Sequence, residues 1–167
     1  MTSATMARAQ DSNAAKAHAL VDAAIKMTDS EKAVKLLWQA TDIDPTLEEP
    51  YVYLGMYYNS KQDAEDLAKV YQKLVKYQPN SVSAWINIGE AYMSFSPPRT
   101  QDALVYFQKA YQLDPKSSLA ALRLGEILGQ NGNRDDSIRY LRQALTDNKD
   151  PSVSRQAEQD LKQMGAL

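Results

Sequence analysis

Apolar residues recur along this chain at spacings of three and four, in short blocks that return at nearly regular intervals. One block reads Tyr51-x-x-Leu54-Gly55-x-x-Tyr58 and the next Trp85-x-x-Ile88-Gly89-x-x-Tyr92. Ala121-x-x-Leu124-Gly125-x-x-Leu128 and Ala17-x-x-Leu20-Val21-x-x-Ala24 are weaker versions. Each is followed by a second block: Ala33-x-x-x-Leu37-x-x-Ala40, Leu67-x-x-x-Tyr71-x-x-Leu74, Ala103-x-x-x-Phe107-x-x-Ala110 and Ser137-x-x-x-Leu141-x-x-Ala144. Such spacings place the residues on one face of an α-helix. A small residue at a helix crossing lets two backbones approach, and the large residue beside it fills the gap. Each pair of blocks therefore predicts two antiparallel helices joined by a short turn. No stretch alternates with period two, so no sheet is expected.

The interval is set by landmarks. Pro45 and Pro79 are 34 residues apart, and so are Gly55 and Gly89. Pro79 to Pro115 and Gly89 to Gly125 are each 36. Both extra pairs of residues fall in Phe95-Ser96-Pro97-Pro98-Arg99, and the register then returns, with Ala110 and Ala144 again 34 apart. Punctuation agrees. Thr28-x-x-Glu31 and Thr46-x-x-Glu49 have capping-box spacing. Ser60, Thr100 and Asn133 are candidate caps for second helices, and the prolines end those helices. Beyond Pro151, the residues Val153, Ala157, Leu161 and Met164 share one face of a further helix. That helix suits the open apolar side that a last hairpin leaves behind.

These blocks resemble the tetratricopeptide repeat, whose pattern is W-x-x-L-G-x-x-Y, then A-x-x-x-F, then P. The second and third repeats match closely. The first lacks the glycine and both aromatic residues of its first helix, the second has Leu67 where a small residue is expected, and the fourth has Lys149 at the proline position. The resemblance implies an all-α, right-handed α-solenoid of four helical hairpins plus a C-terminal capping helix. The expected segments are a flexible N-terminal tail over 1–13, repeats over 14–47, 48–81, 82–117 and 118–149, and the capping helix over 150–167.

Composition narrows the function. The chain has 167 residues, a formal net charge of −2 and 44% hydrophobic residues, which is ordinary for a folded domain. No basic excess points to nucleic acid, and no run of 18 apolar residues could span a membrane. Cysteine is absent and His18 is the single histidine. A thiolate metal site is thereby excluded, and a metal or triad built on one histidine lacks convergent partners. No phosphate-binding glycine loop is present, and Gly125-Glu126-Ile127-Leu128-Gly129 reads as helix packing. Neither an enzyme nor a bound cofactor is expected. The first ten residues hold no apolar core of a signal peptide. The expected compartment is the cytoplasm, with an exported or periplasmic mature fragment lacking its signal as the alternative.

The resemblance also implies a concave groove lined by the first helices. Its columns here are His18, Val52, Ile86, Leu122; Asp22, Met56, Glu90, Glu126; and Ile25, Asn59, Met93, Gly129, with Tyr53, Asn87 and Arg123 beside the first. Of these, His18, Asp22, Val52, Tyr53, Met56, Asn59, Ile86, Asn87, Glu90, Met93, Leu122, Arg123 and Glu126 are the candidate partner-binding residues. Aliphatic and methionine positions with three carboxylates predict a protein or peptide partner with apolar anchors and some basic character. Tyr58, Tyr71 and Tyr92 are expected to pack within repeats, whereas Tyr53 and Tyr57 are less constrained. Repeat proteins that hold the acidic tails of heat-shock chaperones use Lys, Asn and Arg in such a groove. The corresponding residues here include His18, Asp22, Tyr53, Ser83 and Asn87, which disfavours that ligand. The expected function is a non-enzymatic interaction scaffold. The alternative is a chaperone or pilotin-like escort of a secreted or membrane-assembly subunit, and self-association is left open.

Overall fold

The computed structural model describes residues 3–146 and 150–167, and side chains from residue 11 onward. The described residues form α1 (Ser3–Ile25), α2 (Ser30–Ile43), α3 (Glu49–Ser60), α4 (Ala64–Tyr77), α5 (Val82–Met93), α6 (Thr100–Leu113), α7 (Ser118–Gln130), α8 (Arg134–Thr146) and α9 (Pro151–Gln163). No strand occurs among them. The contacts divide the chain into two compact units, Met1–Pro79 and Asn80–Leu167.

In the first unit α1 pairs with α2 and α3 with α4, while α2 also packs on α3. Val21, Leu37, Tyr51, Leu54 and Leu74 are among its buried residues. Side-chain bonds tie its hairpins together. Trp38 Nε1 donates to the Tyr58 hydroxyl at 3.1 Å. The Lys73 ammonium lies over the Trp38 ring and donates to Thr41 Oγ1 at 2.9 Å and to Asp42 at 2.5 Å. Thr41 is fully buried, so that bond satisfies a hydroxyl that burial would otherwise penalise. In the second unit α5 pairs with α6, α7 with α8, α6 packs on α7, and α9 lies against both α7 and α8. Val153, Ala157 and Leu161 of α9 are buried against Leu122, Leu141 and Ala144. The apolar stripe of α9 thus covers the last hairpin, as its spacing predicts.

The expected glycine crossings are visible as contacts. A Cβ added at Gly55 would stand 2.1 Å from the Tyr71 hydroxyl, one at Gly89 2.5 Å from the Phe107 ring, and one at Gly125 2.7 Å from Leu141. No real Cβ fits at such distances, so each of these three hairpins closes on a glycine facing a large residue. The first hairpin has Val21 in place of that glycine, and Val21 and Leu37 are both buried.

Some local details differ from the sequence expectation. Helix α1 begins at Ser3, so residues 3–13 continue it rather than forming a separate tail. The alanines there favour helix, and the chain holds no proline before Pro45. Residues 1–2, and 147–149 with Lys149 among them, lie outside the described residues. Asp29, not Thr28, caps α2 by accepting from the Lys32 amide, and Asp63, not Ser60, caps α4 through the Asp66 amide. Ser60 instead donates back to the Tyr57 carbonyl, and Thr46 donates to Asp44. Thr100 is the first residue of α6, not its cap. An aspartate one or three residues further along meets the free amides with a charged acceptor, which a hydroxyl does not match.

The insertion after α5 is held by rings. Tyr92 lies 5.0 Å from Tyr106 and 5.5 Å from Phe95 between centroids, and Trp85 stacks on Tyr106 at 6.2 Å. The Arg99 guanidinium covers Tyr92 and Phe95, the Arg99 amide donates to the Tyr92 carbonyl, and Ser96–Pro97 is cis.

The glycine crossing predicts that Gly89→Ala destabilises the protein by about 1–3 kcal/mol, because the Phe107 ring must shift. Trimming the ring in Gly89→Ala/Phe107→Leu should recover part of that loss in thermal denaturation. A stabilised Gly89→Ala, the outcome helix propensity alone gives, would contradict the packing.

Candidate protein-interaction site

In the first unit the groove candidates sit on α1 and α3. Tyr51, Leu54 and Gly55 are buried, with Tyr58 half-buried one turn on. This uses the inward face of α3 and leaves Val52, Met56 and Asn59 on the other. Val52 is 52% and Met56 64% exposed. Burying such a side chain fully is worth roughly 1.5–3 kcal/mol, so each leaves most of that unrealised. Asn59, His18 and Asp22 are exposed as well, and Tyr53 is half-buried. His18 Nδ1 of α1 approaches Glu49 Oε2 of α3 at 3.4 Å, so the two helices meet at that point through exposed side chains. Ile25, at 48% exposure, lies further along α1.

In the second unit two candidates are corrected. Ile86 and Leu122 are only 6% and 2% exposed. Ile86 belongs to a core with Phe107, Leu124 and Ile127, and Leu122 to one with Leu141, Ala157 and Leu161. The column that carries Val52 on α3 is covered here by the packing of α7 and α9. Met93 and Asn87 are half-buried, Met93 against the Ile86 core.

The polar candidates converge. Arg123 Nε donates to Glu90 Oε1 at 2.5 Å and Arg123 Nη1 to Glu126 Oε2 at 2.9 Å. Burial pulls the Arg123 pKa down, but its bond to Glu126 and the charges of both glutamates outweigh this and raise it above the ordinary value. Burial raises Glu126 above the usual carboxylate range, and nearby Asp160 and Glu90 add to this against the pull of Arg123. The arrangement fixes a cation between two acids, and Glu126 also lines a cleft formed by α7, α8 and α9.

That cleft, about 310 Å³, has Glu126, Gly129, Ser137, Gln156, Asp160 and Met164 among its walls. Ser137 is buried and donates to the Gly125 carbonyl at 2.7 Å. Gln156 Nε2 donates to Asp160 Oδ1 at 3.0 Å, whereas Asp160 Oδ2 is buried without a hydrogen-bond partner. Sequence reasoning missed Asp160 because it followed only the apolar stripe of α9. The available signal was the spacing of Gln156, Asp160 and Gln163, one turn apart beside the apolar stripe.

Among the described residues no group of three or more histidines or carboxylates could hold a metal ion, and no helix is long and apolar enough to cross a membrane. Two sequence models of the tetratricopeptide repeat match residues 55–118 and 99–162. The chain belongs to the tetratricopeptide repeat family. Its fold is the all-α helical repeat of that family, and in general terms it is a protein-interaction scaffold. It is 30% identical over 112 residues to the Hsp70-Hsp90 organizing protein 3 of Arabidopsis thaliana, covering 66% of this chain and 19% of that protein. It is 28% identical over 120 residues to the Superkiller complex protein 3 of Homo sapiens, covering 70% and 8%. The chain therefore spans less than a fifth of either relative. Among solved structures, a thermophilic tetratricopeptide protein of Thermus thermophilus superposes with a TM-score of 0.65 at 18% identity, covering 90% of this chain and 84% of that one. MamA superposes with 0.64 at 20%, covering 83% and 80%. These last two likenesses show the fold alone.

The two classes of candidate should separate in denaturant. Ile86→Ala and Leu122→Ala should each cost about 2–5 kcal/mol. Val52→Ala and Met56→Ala should stay within about 0.5 kcal/mol of the parent. Equal losses at all four positions would contradict the assignment of Val52 and Met56 to an open face.

Proposed function

We propose that this chain is a non-enzymatic scaffold that holds a segment of another protein, helical or extended, on the open face of α1 and α3. The observation that carries this reading is the pairing of Val52 and Met56, both more than half exposed, with the exposed carboxylate of Asp22 on the neighbouring helix. An apolar patch rimmed by polar groups is the usual mark of a protein contact. Methionine adds a surface that adapts to the side chain it meets. The second unit offers a contact of its own through Glu90 and Glu126, which supports a partner with basic residues. A segment ending in carboxylates is the poorer occupant, although one relative is named for organising Hsp70 and Hsp90. Asp22, Glu90 and Glu126 would repel it.

A photo-crosslinking residue placed at Met56 should capture a defined partner segment, whereas the same residue at the exposed Val105 on α6 should not. Val52→Glu should abolish the Met56 crosslink while helical circular dichroism stays unchanged. Equal capture at positions 56 and 105, or capture indifferent to Val52→Glu, sinks the reading.

A further inference from the structure

The cleft of the second unit deepens the scaffold reading, and the inference rests on it. Its walls are of mixed character. Leu141 and Met164 are apolar, while Gln156, Asp160 and Glu126 are polar. One guanidinium, Arg123, serves both Glu90 and Glu126. No ion pair of the described residues includes Asp160, and its Oδ2 is buried with no donor. A buried carboxylate oxygen without a donor is costly, and a charged donor is the partner that compensates it best. With a volume of about 310 Å³, the cleft holds roughly ten water volumes. That is room for one long side chain with an apolar stem and a charged head.

We infer that this cleft is a receptor for an arginine side chain of the bound partner, its stem along Met164 and Leu141 and its guanidinium between Asp160 and Glu126. Arginine fits better than lysine. A planar guanidinium presents several donors at fixed angles to two carboxylates and a glutamine carbonyl, whereas an ammonium is a single point of charge. The site lies within one unit, on three helices packed against one another.

The test uses the intact chain and a small probe, N-acetyl-arginine amide, with N-acetyl-citrulline amide as the neutral control of the same shape. The arginine compound should move the Met164 methyl and the Gln156 and Gln163 side-chain amide resonances saturably, and the citrulline compound should not. Asp160→Asn keeps the shape and removes the charge. It should weaken binding about tenfold, the usual scale for one charge-assisted hydrogen bond, with thermal denaturation confirming that the variant folds. No saturable shift, an equal shift with citrulline, or unchanged affinity in Asp160→Asn overturns the cleft. The crosslink at Met56 is read separately, so such a failure leaves the α1–α3 face standing.

Discussion

Each of the last three hairpins closes on a glycine pressed against a large side chain: Gly55 on Tyr71, Gly89 on Phe107, Gly125 on Leu141. Because no Cβ stands between the helices, the backbones come close and the ring or branched side chain fills the remaining space. Close packing of that kind gains many small dispersion contacts at once and tolerates no added volume. It also fixes the rotation of each first helix about its axis. With Leu54 and Gly55 turned inward, Val52 and Met56 can only face away. The open face therefore follows from the closed one.

Where a further helix arrives, the same register has the opposite consequence. Ile86 and Leu122 stand at the positions equivalent to Val52, but α7 and α9 cover them. At these positions the second unit consequently offers the charges of Glu90, Arg123 and Glu126 rather than an apolar column. Arg123 tied to Glu90 and Glu126 is a rigid polar element, held by side chains that are themselves partly buried. An ion network of this kind contributes little to stability for its size, since desolvation offsets most of the attraction. Its value lies in setting which charge a partner must bring.

The loop regions show how tolerant the repeat is outside its crossing. Between α3 and α4 the turn puts Gln62 in the left-handed region, and the equivalent turn between α7 and α8 puts Gly132 there. Between α5 and α6 the repeat is two residues longer and the turn lengthens from three residues to six, and aromatic stacking with Arg99 across Tyr92 and Phe95 absorbs the excess. The crossing is intact in all three cases, because the constraint sits in the helices and the turn need only return the chain.

The amino-acid sequence by itself determined the helices, their pairing, the glycine contacts, the place of the insertion and the inward stripe of α9. All of these rest on interactions within about 36 residues, and helical periodicity reports such local faces directly. It also marked Val52, Met56, Glu90, Arg123 and Glu126, which the structure leaves accessible or brings together. Caps were legible only to within a few residues, because neighbouring Thr, Ser and Asp compete for the same amides. The tertiary structure alone decided that Ile86 and Leu122 are core, that Asp160 and Glu126 line one cleft, and that α7, α8 and α9 build it. Position on a helix says which residues share a face. Whether another helix then covers that face depends on how separate elements pack, and no spacing along the chain records it.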